Sequence, residues 1–474
     1  MADAKHYDYL VIGSGAATTA LSLARSHGLK VALVDKGPAG GTCLNVGCIP
    51  SKLLIYPADR VTEIEEAARL GIYSEILRVD FPVIMKRMRS TVHPSRDQIR
   101  RSLRAMLGED YYEGTGRFVG DHLLEVHGLL LQADKVVIGA GARPFIPPIE
   151  GLDGVPYLTN ETLLDLDKRP ESLAIIGGGY IAVEYGHFFS AMGTKVTILE
   201  MADRLLTEEE PLISALLERK LSERVAVRTG SKVVGARRAG RGVELDVVSE
   251  ADGSRSTVGA ERLLVAAGRV PNSDVLQVSE TGVEVDSHGF IVANERMETS
   301  APNIWALGDV IGKGMFRHVA NEEAYVAAHN SLHDEKIEME YHAMPRAVFG
   351  YPQIASVGMT EAQAAAEHHL LIGYAHYSDV AKGEAMMEFD GFAKAVVDAH
   401  DRHILGFHII GPYAPILIQE VINIMAAKGT VSQAFLGMHI HPALPELVVR
   451  TLANLRPPQD WPQAPFAGHD HHHD

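Results

Sequence analysis

Cysteine is almost absent: Cys43 and Cys48 are the only two in 474 residues. So sparse a supply excludes the disulfide framework of a small secreted domain. Nor does any apolar run approach the roughly 20 residues that a membrane span requires. Cations are the minority charge, with Lys+Arg 44 against Asp+Glu 61 and a formal net charge of −17. That balance argues against nucleic acid or an anionic membrane as partner. The opening MADAKHYDYLVIG passes from charged residues straight into a strand pattern, leaving no apolar core for a signal peptide. A cytoplasmic globular protein is expected, and the length suggests about three domains.

Both cysteines fall in one stretch, Gly40-Gly41-Thr42-Cys43-Leu44-Asn45-Val46-Gly47-Cys48-Ile49-Pro50-Ser51-Lys52. A continuous helix would space them by about 7.5 Å along its axis, too far for an easy disulfide. Asn45 and Gly47 permit a turn between them, and Pro50 suits the first turn of a helix. Cys43 is therefore expected in an open loop, and Cys48 at a helix N-terminus whose dipole favours a thiolate. Such a pair suits redox chemistry. No cluster with metal-ligand spacing accompanies it, and no metal is expected.

Two nucleotide fingerprints flank this stretch in the chain. In the first, the strand run Tyr9–Ile12 meets Gly13-Ser14-Gly15-Ala16-Ala17-Thr18, then a helix and a second strand ending at Asp35. Gly13 permits the turn, Gly15 admits a pyrophosphate to the helix N-terminus, and Asp35 is placed for a ribose hydroxyl. Thr18 replaces the usual small residue, so looser helix–strand packing is expected there. The second reads Gly177-Gly178-Gly179-Tyr180-Ile181-Ala182, with Glu200 closing the next strand. An acid at Glu200 prefers NAD to NADP, although Arg204 is near enough to receive a 2′-phosphate. Strand-to-glycine turns ending at Gly141 and Gly268 complete the two halves. The basic run from Lys86 to Arg104, through Arg100 and Arg101, lies on a helical pair expected to break at Pro94. It reads as a solvated face, or as a rim attracting an anionic substrate.

The thirteen residues 40–52 closely resemble the active-site signature of the pyridine nucleotide–disulfide oxidoreductases, and the likeness extends over residues 7–455. It implies an α/β flavoprotein with two Rossmann-like domains and a C-terminal α+β dimerisation domain, using FAD and NAD as a homodimer. The implied division is 1–147 and 269–338 for the FAD site, 148–268 for NAD and 339–455 for the interface. Gly13, Gly15, Asp35, Gly41, Thr42, Gly141, Gly308 and Asp309 are carried to FAD. Gly177, Gly179, Tyr180, Glu200 and Gly268 are carried to NAD, Tyr180 as a cover over the flavin. Cys43 is expected to exchange with substrate and Cys48 to face the flavin. Lys52, paired with Glu184, is expected near its N5 edge. His441 and Glu446, in His-Pro-Ala-Leu-Pro-Glu, are expected to act as the proton-exchanging dyad from the second subunit, while His439 reads as structural.

For the substrate, the cysteine motif and Glu200 resemble the dihydrolipoamide dehydrogenase type, which is placed narrowly first, with a lipoyl carrier domain as a possible partner. Residues 441–446 and His318-Val319-Ala320-Asn321 resemble the mycothione reductase type, so a low-molecular-weight disulfide stands second. A catalytically silent FAD-binding subunit is the reading of another class. The polar, His-rich tail 456–474 is expected to be disordered.

Overall fold

A computed structural model describes residues 4–461, and its first sheet is built around two adjacent parallel strands. These are β1 (Lys5–Ile12), which leads through helix α1 (Thr18–Ser26) to β2 (Val31–Asp35), and the later β6 (Leu129–Ile138). With β3 (Tyr111–Glu113), β4 (Arg117–Gly120) and β5 (Leu123–Val126), the order is β3-β2-β1-β6-β5-β4. Strands β3, β2, β1 and β6 run parallel, and β2 is buried along nearly its whole length, as helices on both faces of such a sheet demand. Helix α1 turns Ala20, Leu21 and Ala24 inward, two of them small enough for close packing.

The chain returns to this sheet much later. Ile304–Ala306 pairs parallel with the C-terminal half of β6, in register Ile304 to Val136 and Ala306 to Ile138. The Gly308-Asp309 turn and the helix Arg317–Leu332 follow at once.

A second parallel sheet has Ser172–Ile176 at its centre, Lys195–Leu199 and Ala226–Arg228 on one side and Arg262–Val265 on the other. A three-stranded antiparallel sheet spans residues 231–260. Ala142–Pro144 pairs with Arg269–Pro271, joining the chain where it leaves the first sheet to where it comes back. The C-terminal part is a six-stranded antiparallel sheet. Among the described residues, no helix is long and apolar enough to cross a membrane.

Three local expectations need correcting. The sequence pattern of residues 48–75 suggests one helix, but helix α3 (Cys48–Glu66) ends sooner, giving way to a 3-10 turn at Ala67–Leu70. The basic run forms one unbroken helix after α3, α4 (Phe81–Leu107), with Pro94 inside it. Proline removes one amide from the ladder, but Ser90 and Pro94 lie on the exposed face while Met85, Met88, Val92 and Leu103 hold the other face in the interior. The tail is ordered at its start. Leu455–Arg456 adds a short strand beside Ile372–Gly373, and Trp461 Nε1 donates to Ile372 O at 2.8 Å with its ring edge-on to Tyr374. The remainder of that expectation, residues 462–474, lies outside the described residues.

Candidate active site

The cysteine segment is shaped by glycines and by one asparagine. Gly40 and Gly41 have φ of 96° and 71°, the left-handed region that costs other residues strain. They open a single helical turn, α2 (Gly41–Asn45), so Cys43 lies in a turn of helix rather than the open loop expected. Asn45 causes this: its side-chain amide donates to Ala39 O at 3.0 Å and Gly41 O at 2.9 Å, closing the turn on itself. At Gly47 a Cβ would lie 3.0 Å from Thr42 O and 3.3 Å from the Cys43 Cα. That close crossing brings Cys48, the first residue of α3, back beside Cys43.

The two thiols are within hydrogen-bond reach. The Cys43 pKa is pushed down to about 7, first by the hydrogen bond with Cys48, with Arg317 and Lys52 adding positive potential. The same bond, with desolvation, raises Cys48 above the ordinary thiol range. The sulfurs titrate as a coupled pair, on which the helix dipole at Cys48 also acts.

One turn along α3, Lys52 Nζ reaches both carboxylate oxygens of Glu184 at 2.7 Å and lies 4.4 Å from the centre of the Phe349 ring. Glu184 belongs to α5 (Tyr180–Ala191), and it also accepts from Phe349 N at 3.1 Å. Three separate parts of the chain thus meet at this carboxylate.

The first nucleotide turn lies against the cysteine segment. A Cβ on Gly41 would fall 2.8 Å from the Gly15 Cα, and Gly40 N donates to Ser14 Oγ at 2.8 Å. Gly13, at φ 99°, has no room for a side chain, since a Cβ would sit 2.3 Å from Gly139 O. Thr18 tightens the turn by donating its hydroxyl to Gly15 O at 2.9 Å. Asp35 accepts from Ser14 N and Gly37 N at 3.1 and 2.9 Å, and burial raises its pKa.

A cavity of about 410 Å³ opens here, lined among others by Ser14, Gly15, Thr18, Gly40, Ile99 and Arg317. Thr42 stands half-buried beside it in α2, and Gly141, at φ 67°, leaves open space at the far end of β6. Asp309 is desolvated, which raises its pKa, and its carboxylate lies 3.7 Å from the Arg269 Nε, its one ion pair among the described residues. That buried Nε has no hydrogen-bond partner among the described residues. Orphaned polar atoms beside a glycine cradle fit FAD: pyrophosphate at Gly13–Gly15, ribose at Asp35 and ribityl hydroxyls at Asp309. Sequence reasoning missed Glu323, fully buried, which holds the Asp309 turn by accepting from Gly308 N at 2.7 Å and from the Tyr341 hydroxyl at 2.8 Å. Nothing local in the sequence marks it.

The second turn repeats the first. Gly177 has φ 112°, and a Cβ would fall 2.3 Å from Ala266 O. Gly179 precedes α5 without any side-chain cap, so the first amides of that helix are free for an anion. Glu200 is held at the strand end by Ala202 N at 2.7 Å, and Gly268, at φ 119°, leaves open space opposite. Arg204 donates one amino group to Thr207 O at 2.5 Å, while its buried Nε has no hydrogen-bond partner among the described residues. These residues fit NAD. Sequence reasoning also missed Glu209, which joins the Tyr180 hydroxyl to Arg346. The triple acid Glu208-Glu209-Glu210 ahead of Pro211 was the available signal.

His441 Nδ1 is hydrogen-bonded to Glu446 Oε1 at 2.9 Å, while Glu446 Oε2 accepts from Ala443 N at 3.0 Å. Both bonds hold the Glu446 pKa below the usual carboxylate range. The dyad is formed as expected, yet no hydrogen bond or ion pair among the described residues joins it to the cysteines of its own chain. It stands beside exposed Leu436, Met438 and Ile440. His439 instead pairs with Glu420 at 2.8 Å. Within the basic run, Arg100 and Arg104 share Glu113, Arg89 meets Asp167 and Arg96 meets Asp97.

Residues 7–324 match the family described as pyridine nucleotide-disulphide oxidoreductase, and residues 344–452 its dimerisation domain. The mycothione reductase of Mycobacterium tuberculosis is 37% identical over 95% of this chain and 99% of its own. The dihydrolipoyl dehydrogenase of Bacillus subtilis is 31% identical over 94% and 97%. Among solved structures, the HOCl-induced flavoprotein disulfide reductase RclA of Escherichia coli superposes with a TM-score of 0.82 at 29% identity, covering 94% of this chain and 99% of that one.

Proposed function

The chain belongs to the pyridine nucleotide-disulphide oxidoreductase family, and from that premise we propose that it uses NADH to reduce a small disulfide of the mycothione type. It is a flavin disulfide oxidoreductase, its cofactors are FAD and a pyridine nucleotide, and it works as a homodimer on a small disulfide. The observation carrying the proposal is the hydrogen-bonded Cys43–Cys48 pair, set between two nucleotide turns.

Held at Gly13–Gly15, Asp35 and Asp309, FAD would supply electron-pair transfer between the reduced nicotinamide and the Cys43–Cys48 disulfide. In the reduced pair Cys43 is the nucleophile. Its thiolate attacks one substrate sulfur, forming a mixed disulfide as the substrate S–S bond breaks. The departing thiolate takes a proton from His441 of the second subunit, which Glu446 holds in the required tautomer. Cys48 then passes its proton to His441 and attacks the Cys43 sulfur. The second substrate thiolate leaves, takes that proton from His441, and the intramolecular disulfide is restored. Two electrons and two protons leave the protein for every disulfide reduced. Lys52 and Glu184 position the cysteine helix against the nucleotide helix. Glu200 supports NADH over NADPH.

The sequence reading placed dihydrolipoamide first; the higher identity to a mycothione reductase, with residues 441–446, supports reversing that order. Dihydrolipoamide on a lipoyl carrier is the second reading, favoured by the cysteine motif and Glu200. The division at residues 147, 268, 338 and 455 and the cytoplasmic setting belong to this proposal. Steady-state assays with NADH or NADPH should test mycothione, lipoamide, glutathione disulfide and bis-γ-glutamylcystine in parallel. The highest kcat/KM is expected for mycothione with NADH. A preference for lipoamide would reject the primary reading.

A further inference from the structure

Three donors from three parts of the chain converge on one buried carboxylate. The Glu209 side chain is 0% exposed. Its Oε1 accepts from the Tyr180 hydroxyl at 2.9 Å and from Arg346 Nε at 2.8 Å, and its Oε2 accepts from Ser356 Oγ at 2.6 Å. Tyr180 opens α5, whereas Arg346 and Ser356 lie on the first two strands of the C-terminal sheet, Pro345–Val348 and Ile354–Gly358. Glu210 repeats the attachment, meeting Lys394 Nζ of the same sheet at 2.7 Å with both side chains buried. The segment between Glu200 and Pro211 is thus bolted to that sheet. It is also fastened to the fingerprint, through Leu206 N to Gly178 O at 3.0 Å.

The place of the Tyr180 ring gives these bonds their meaning. Helices α3 and α5 run in the same sense, as the pairs Lys52–Glu184 and Asp59–His187 show. One turn before Lys52 is Cys48, and one turn before Glu184 is Tyr180. The ring therefore stands on the cysteine side of the second fingerprint. Its face packs on Phe316 at 5.7 Å, immediately before Arg317, whose charge acts on Cys43. Because Tyr180 directly follows Gly179, a group bound at that turn lies next to this residue.

We propose that Glu209 is a positioning residue that latches Tyr180 across the passage between the two nucleotide turns and makes that latch part of the C-terminal sheet. The inference rests on reading the second fingerprint as the pyridine nucleotide site. A carboxylate suits the task because two oxygens can serve three donors at once, and Arg346 supplies the counter-charge that a buried carboxylate needs. Moving Tyr180 aside breaks a charge-assisted hydrogen bond, so the latch opposes binding of the nicotinamide end. A rearrangement of the strands bearing Arg346 and Ser356 would change the strength of that opposition.

The test is a double-mutant cycle on the full-length, FAD-loaded dimer, with Tyr180→Phe, Glu209→Gln and the two combined. Calorimetry gives the Kd for NAD+ of the oxidised enzyme, and steady-state assays give KM and kcat for NADH. Each single change should tighten NAD+ at least about three-fold, as contacting residues in one network do, and lower KM more than it alters kcat. The combined variant should match Tyr180→Phe alone. Independent, additive effects overturn the latch, as does a Glu209→Gln that lowers Tm yet leaves NAD+ binding unchanged. A wild-type holoenzyme that binds no pyridine nucleotide overturns the site reading beneath it, and the latch with it.

Discussion

Lys52 on the cysteine helix and Glu184 on the nucleotide helix form a two-point ion pair, with Nζ 2.7 Å from each carboxylate oxygen. Glu184 is the more enclosed partner, its side chain 10% exposed against 36% for Lys52. The pair fixes how far Cys48 stands from Tyr180. Glu184→Gln should therefore slow disulfide reduction on the order of ten-fold, because small displacements of reacting groups are costly. Stability should fall by only about 1 kcal/mol, since Lys52 keeps access to solvent. Stopped-flow half-reactions and thermal melts separate the two effects.

Cys43 should titrate well below an ordinary thiol. Its pKa of about 7 depends first on the hydrogen bond from Cys48. In reduced protein, alkylation of Cys43 by iodoacetamide should rise with pH through a midpoint near 7, as thiolate replaces thiol. Cys48→Ala removes the donor, so the midpoint should move upward. Mass spectrometry of the modified peptide reads the result directly. An unchanged midpoint would place the cause in Arg317 and Lys52 instead.

The His441–Glu446 dyad carries the proton in the proposed cycle. His441→Ala should reduce kcat for disulfide reduction by about 10²- to 10⁴-fold, the usual range for a lost general acid. Flavin reduction by NADH should be spared. Glu446 is held below its ordinary pKa, so it stays charged as the pH falls through 4.5. Glu446→Gln should lower kcat for disulfide reduction by weakening the Nδ1 bond that orients His441, and add no new acidic limb. Equal losses in both half-reactions would contradict the assignment.

Two glycines offer a paired test of the cofactor sites. Alanine at position 13 would place its Cβ 2.3 Å from Gly139 O, and at position 177 the same distance from Ala266 O. Both also require a left-handed backbone, adding strain of about 1–3 kcal/mol. Gly13→Ala should yield protein poor in FAD by absorbance. Gly177→Ala should retain FAD and lose NAD+ affinity by calorimetry. Similar FAD loss in both would mean that the two turns are not independent.

Much of this site could be read from the chain because its rules are local. Gly13, Gly15, Gly177 and Gly179 announce themselves, since only certain spacings of glycine between strand and helix make a dinucleotide turn. The His441–Glu446 pair lies only five positions apart in a segment stiffened by two prolines. What escaped notice depends on distance along the chain or on competition between effects. Glu209 and Arg346 are 137 positions apart, and no periodicity links them. Pro94 looked like a break until packing along the rest of α4 outweighed one missing amide. The dipole at Cys48 is readable from the sequence, whereas the hydrogen bond that lowers the Cys43 pKa needs the two sulfurs side by side. Trp461 shows the same limit, as a polar, Pro-rich tail gives no hint that one indole will dock on Tyr374.

Because Ile304–Ala306 fills the remaining flank of β6, a ribosome must translate more than 160 further residues after the β6 strand before that flank can close. Until then the N-terminal layer has an open side, while the intervening fold emerges and collapses within it as an insertion. Assembly of the FAD-side layer is thus a late event in the life of a nascent chain. A messenger truncated after codon 182 but before codon 304 encodes both cysteines and both glycine turns without encoding the strand that completes the layer they depend on.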